Sequence, residues 1–81
     1  MKQVTIYALS TCPWCMKTKR FFESRNIPCE VIEYDLADTE TQHRIMCEMD
    51  KLGESGFPVV KIGDEVVCGY NPEQFEKALE S

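Results

Sequence analysis

The chain has 81 residues, room for one modest core, because so short a chain buries a smaller share of its surface than a long one; a single domain is expected over residues 1–81. Hydrophobic residues make up 43% and charged residues 28%, too apolar a balance for a disordered chain. Nine basic against fourteen acidic side chains leave a net charge of −5, which argues against nucleic acid or an anionic membrane surface as the main partner.

Val4-Thr5-Ile6-Tyr7-Ala8 is rich in β-branched and aromatic residues and ends at Ser10-Thr11, so it reads as a strand running into a loop. The apolar run from Val4 to Leu9, with Thr5 inside it, is too short for the core of an export signal or a membrane span, and a cytoplasmic location is expected. Pro13 suits a first helical turn, where its fixed φ fits and its missing N–H costs nothing. A helix is expected over residues 13–25, with Cys15, Thr18, Lys19 and Phe22 on one face, Phe21 widening it, and Asn26-Ile27-Pro28 ending it. Residues 29–35 read as a second strand, parallel to the first through a right-handed crossover.

Asp38-Thr39-Glu40 opens a second helix whose core stripe is expected at Ile45, Met46, Met49 and Leu52, and Gly53 closes it. Residues 57–62 and 65–68 are two β-rich runs separated by Gly63-Asp64, a Gly-first pair that predicts an antiparallel hairpin with a type II′ turn. Asn71-Pro72 opens the last helix, with Phe75, Ala78 and Leu79 on its inner face. The order β-α-β-α-β-β-α implies an α/β fold with one mixed sheet covered by helices.

Five cysteines form an odd set without an export signal, so thiols rather than a disulfide framework are expected. Cys12 and Cys15, three apart at a helix start, lie about 5–6 Å apart at Cβ, close to what a disulfide needs. Cys12 stands where unpaired N–H groups and the helix dipole stabilise a thiolate, with Lys17, Lys19 and Arg20 adding positive charge farther along. It is the expected nucleophile, and Cys15, one turn inside, the expected resolving thiol, with Trp14 lying beside the pair and covering it. The competing reading is zinc or an iron–sulfur cluster held through the cysteine pair, but a four-ligand site usually needs a second close pair, whereas Cys29, Cys47, Cys68 and His43 are scattered singly. No metal ligand is assigned. Cys29 reads as a small core hydrophobe, Cys47 as partly exposed beside His43, and Cys68 as core or as a site of thiolation by glutathione.

Tyr7-Ala8-Leu9-Ser10-Thr11-Cys12-Pro13-Trp14-Cys15, Gly56-Phe57-Pro58-Val59-Val60 and Gly69-Tyr70-Asn71-Pro72 together resemble the glutaredoxin family, over essentially the whole chain. The resemblance implies a thioredoxin-like fold with a four-stranded sheet, a cis-proline at Pro58 facing the cysteine pair, and no tightly bound cofactor. It implies thiol-disulfide oxidoreductase activity on protein disulfides or glutathione mixed disulfides, in a monomer. Thr11, Pro13 and Trp14, with Phe57, Pro58, Gly69, Tyr70 and Asn71, would line the substrate groove. Three features depart from the pattern of members that bind glutathione: Leu9 replaces a basic residue, Gly56-Phe57 replaces Thr-Val, and Tyr70-Asn71 stands near where an acidic pair holds the γ-glutamyl end. That profile is similar to redoxins that take electrons from thioredoxin reductase, including those serving ribonucleotide reductase. Glutathione and thioredoxin reductase are both admitted as electron sources.

Overall fold

Each expected element forms, and the computed structural model describes residues 3–54 and 56–80. The strands are β1 (Val4–Ala8), β2 (Cys29–Glu33), β3 (Val59–Ile62) and β4 (Glu65–Cys68), and the helices are α1 (Pro13–Ser24), α2 (Thr39–Leu52) and α3 (Pro72–Glu80). They make a four-stranded sheet in the order β2-β1-β3-β4, with β1 parallel to β2 and antiparallel to β3, and β3 antiparallel to β4.

Local chemistry sets the helix ends. Cys12 is the N-cap of α1 and Pro13 its first residue; at the other end Asn26 takes φ 57, so that its own N–H and that of Ile27 turn back onto the Glu23 and Phe22 carbonyls. Asp38 caps α2 by accepting from the Thr41 N–H at 2.9 Å, and Gly53, at φ 75, closes it in the same left-handed way. Gly63 at φ 59 supplies the first central residue of the two-residue turn between β3 and β4, as a type II′ hairpin requires.

Two strands are shorter than the sequence pattern suggests. β2 stops at Glu33 rather than at residue 35, because its partner β1 ends at Ala8, which lies opposite Glu33. With nothing to pair with, Tyr34–Leu36 coils into a 3-10 turn, and the Tyr34 carbonyl accepts from the Gln42 side chain at 2.7 Å. β3 begins at Val59 rather than at residue 57, since Pro58 has no N–H for the ladder; the Phe57–Pro58 peptide is cis, as the resemblance implied.

Side chains alternate across the sheet. Val4, Ile6, Ala8, Val60, Ile62 and Val67 point to the face covered by α1 and α3, where they meet Cys15, Phe22, Phe75 and Ala78. Tyr7 and Val59 point to the other face and pack on Ile45 and Met49 of α2. The stripe expected on α2 is therefore half right. Met46 is 43% and Leu52 40% exposed, because the narrow layer beneath α2 covers the Ile45–Met49 line and little on either side of it.

Candidate functional site

Strand register brings three loops to one end of the sheet. Tyr7 lies opposite Val59 and Val59 opposite Cys68, so the exit of β1, the entry of β3 and the exit of β4 are neighbours. The loop after β1 carries Thr11 and Cys12, the segment before β3 carries Phe57 and Pro58, and the loop after β4 carries Gly69, Tyr70 and Asn71. A hydrogen bond from the Gly69 N–H to the Pro58 carbonyl, 2.8 Å, ties the last two together, with Gly69 at φ 81.

The two thiols of the first loop differ sharply. Cys12 is part-exposed at the start of α1, whereas Cys15, one turn inside, is fully buried in the core between sheet and helices. Partial burial pushes the Cys12 thiol up, but the hydrogen bond from the Cys15 thiol and the backbone N–H groups of Cys15 and Trp14 outweigh it, leaving Cys12 below its ordinary value. Burial pushes Cys15 up to about 11, against which the Leu9 N–H, 3.5 Å from Cys15 Sγ, and the Lys19 charge pull the other way. The basic side chains do less for Cys12 than their position suggested. Lys17 lies over the Trp14 ring, 4.4 Å from its centroid, and Lys19 is paired with Glu33 at 2.6 Å.

Trp14 leans toward the loop after β4. It is 54% exposed and leans on Tyr70, ring centroids 6.0 Å apart, because the residue before Cys15 on a helix points about 100° away from it. Tyr70 in turn rests on Phe75 of α3 at 6.3 Å, so an aromatic ledge runs from the helix start to the loop after β4. Phe57 is half-buried against Tyr34, centroids 5.5 Å apart, and Pro58 is fully buried. Thr11 and Pro13 are exposed, and the Asn71 carbonyl accepts from the Phe75 N–H to open α3. The expected groove residues thus gather at one end of the sheet, joined by ring contacts and the Pro58–Gly69 bond.

The remaining cysteines lie elsewhere. Cys29 packs against the larger core, donates to the Ile27 carbonyl at 3.4 Å and is pushed up by burial. Cys47 is exposed, 3.6 Å from His43 Nε2. Cys68 is exposed rather than core, yet partial burial of its thiol and the Glu54 carboxylate beside it push it up to about 11. Among the described residues, no group of three or more His, Cys, Asp or Glu side chains is arranged to hold a metal ion. Two groups at the loop that carries Cys12 are not announced by the sequence. The Leu9 N–H, six positions before Cys15, is one, and Asp35, which accepts from the Ser10 N–H at 2.9 Å and from the Ser10 hydroxyl, is the other; nothing local to Ser10 or Asp35 announces a contact 25 positions long.

Residues 4–67, which include Cys12, Cys15, Phe57 and Pro58, match the glutaredoxin family model. An uncharacterized glutaredoxin-like 8.6 kDa protein in the rubredoxin operon of Clostridium pasteurianum is 34% identical over 77 residues, covering 95% of this chain and 97% of that protein. The chain belongs to the glutaredoxin family. Among solved structures, the glutaredoxin of Archaeoglobus fulgidus aligns with a TM-score of 0.87 and 33% identity over 100% of this chain and 89% of its own. NrdH-redoxin of Escherichia coli, a glutaredoxin-like protein with a thioredoxin-like activity profile, aligns at 0.78 with 28% identity over 93% and 92%. Membership of this family and the thioredoxin-like fold support a thiol redox function. No helix among the described residues is long and apolar enough to cross a membrane.

Proposed function

We propose that this protein is a dithiol oxidoreductase that reduces protein disulfides, or mixed disulfides with glutathione, by cycling Cys12 and Cys15 between two thiols and one disulfide. The division of labour between the two thiols carries the reading: one accessible and below its ordinary pKa, the other buried and held protonated at about 11. The Cys12 thiolate attacks a substrate disulfide, forming a mixed disulfide as the substrate S–S bond breaks and the departing thiolate takes a proton from solvent. Cys15 then attacks the Cys12 sulfur. Its proton goes to the departing substrate thiolate, and the pair, two electrons poorer, is left as a disulfide that a reductant restores.

A thiol that ionises readily suits the first attack, and one that stays protonated until the mixed disulfide forms suits the second, since it does not compete for outside partners. Trp14 and Tyr70 offer an aromatic wall to the substrate, with Thr11, Pro13 and Asn71 at its edge. The backbone at Phe57 and Pro58, with Gly69, offers a place for an extended peptide. The protein is taken to work as a cytoplasmic monomer without a tightly bound cofactor.

Thioredoxin reductase is the proposed electron source. Leu9 stands where members that bind glutathione carry a basic residue and Tyr70-Asn71 near where they carry an acidic pair, so those charged contacts are missing, and NrdH-redoxin, with its thioredoxin-like activity profile, is a structural relative at 28% identity. The test is an NADPH-coupled reduction of a model disulfide, run once with thioredoxin reductase and once with glutathione and its reductase. Turnover is expected with the first and is lost entirely in Cys12→Ser. Wild-type activity no greater than that of Cys12→Ser overturns the function; turnover with glutathione alone overturns the choice of donor.

A further inference from the structure

We infer that Asp35 is a positioning residue for the second step of this cycle, holding through Ser10 the turn from which the Leu9 N–H reaches Cys15. The inference rests on the two-thiol reading above and adds to it a residue that touches neither thiol.

The turn is four residues long. The Cys12 N–H donates to the Leu9 carbonyl at 3.2 Å, enclosing Ser10 and Thr11 between the end of β1 and the start of α1. Asp35 stands outside it, in the 3-10 turn that follows β2, and takes both donors of Ser10: the backbone N–H on Oδ1 at 2.9 Å and the hydroxyl on Oδ2. A carboxylate that accepts from two groups of one residue fixes its orientation as well as its place. The same two bonds hold the Asp35 carboxyl below the ordinary carboxylate range.

β1 ends at Ala8, so the Leu9 N–H is freed from the ladder and points to Cys15 Sγ at 3.5 Å. In the second step Cys15 must shed its proton inside the core, where an unpaired charge is costly. The Leu9 N–H is a donor already in place for that charge. Cys12 differs, because the N–H groups that favour its thiolate belong to Trp14 and Cys15, within α1 itself. Loosening the turn therefore separates the two steps: the first keeps its donors, and the second loses one. The bond made and broken is unchanged. Cys15–Cys12 forms, Cys12–substrate breaks, and the proton from Cys15 goes to the departing thiolate.

The experiment is stopped-flow mixing of the reduced protein with dithionitrobenzoate, a chromogenic aromatic disulfide, in a background of Cys29→Ala, Cys47→Ser and Cys68→Ser, which leaves Cys12 and Cys15 as the reacting thiols. The first thionitrobenzoate released reports attack by Cys12, and the second reports attack by Cys15. Asp35→Ala is expected to leave the first release within about twofold and to slow the second about tenfold, the scale of one lost charged hydrogen bond. Asp35→Asn, which keeps an acceptor for the Ser10 N–H, falls between. Equal slowing of both releases, or of neither, overturns the positioning role. In Cys15→Ser the second release must vanish; if it persists, the two-thiol reading falls and this inference with it. If it vanishes yet Asp35→Ala behaves as the parent does, the positioning role alone is lost. Should Asp35→Ala lose its cooperative thermal transition, Ser10→Ala, which removes the hydroxyl bond, carries the same test with the same two outcomes.

Discussion

On the face of the sheet under α1 and α3, three phenylalanine rings interlock: Phe21 on Phe22 at 5.0 Å, Phe21 on Phe75 at 5.3 Å and Phe22 on Phe75 at 5.2 Å. On the face under α2, four buried side chains are supplemented by a polar fastening in which Glu48 accepts from the Tyr7 hydroxyl at 2.6 Å and from Lys61. The difference shows where rigidity is concentrated. Cys15 belongs to the aromatic face, and Cys12, Phe57 and Tyr70 pack against it, so the thiols are set on the better-filled side. The α2 face supports the sheet from behind.

That contrast can be broken by substitution. Phe75→Ala removes a ring that touches Phe21, Phe22 and Tyr70, and it is expected to cost about 3–5 kcal/mol in urea unfolding. It should also change the rate at which iodoacetamide alkylates Cys12, because Tyr70 and Trp14 lose their backing. Met49→Ala is expected to cost about 2–3 kcal/mol, less than the ring, and to leave Cys12 alkylation unchanged. Equal effects of the two on Cys12 would dissolve the distinction between the faces.

A smaller effect concerns acid. Burial pushes Glu48 up, but Lys61 and Tyr7 outweigh it, so the folded carboxyl sits below the ordinary glutamate value of 4.5. A depressed carboxyl contributes stability that is fully present above the unfolded value and is lost as pH falls through the folded one. Glu48→Gln should therefore flatten the loss of stability below about pH 4.5 in urea titrations. A curve as steep as the parent's would assign that loss to other carboxylates. Smallest of all, Asp38→Ala removes the cap of α2 and should cost about 1 kcal/mol without altering either thiol.

What the sequence displayed plainly was what neighbouring residues settle between them. Pro13 at a first turn, Gly63-Asp64 at a hairpin and the spacing of Cys12 and Cys15 are local instructions, and each is carried out where it is written. Other features are decided by distant partners. β2 ends at Glu33 because β1 has run out, which no residue of β2 encodes, and the turn that follows sends Asp35 to a serine 25 positions earlier. Met46 and Leu52 look like core because their spacing is helical, but exposure depends on how wide a layer lies beneath the helix. Trp14 was placed by proximity to the thiols alone, and its ring contact with Tyr70, far along the chain, is not written in its neighbours. The thioredoxin-like fold and the placement of the thiols were legible; the contacts that tune Cys15 and Cys68, through Leu9 and Glu54, were not.

The two-residue turn at Gly63-Asp64 lies at the far end of the sheet from the cysteines, yet it acts as their ruler. From that turn, four residues of β3 and four of β4 measure out, over about 13 Å, the meeting of Pro58 with Gly69. One residue inserted there would shift β4 against β3 and exchange which of its side chains face inward. The hydrogen bond beside the thiols would then be offered to the wrong residue, so a loop remote from any chemistry has its length dictated by the site.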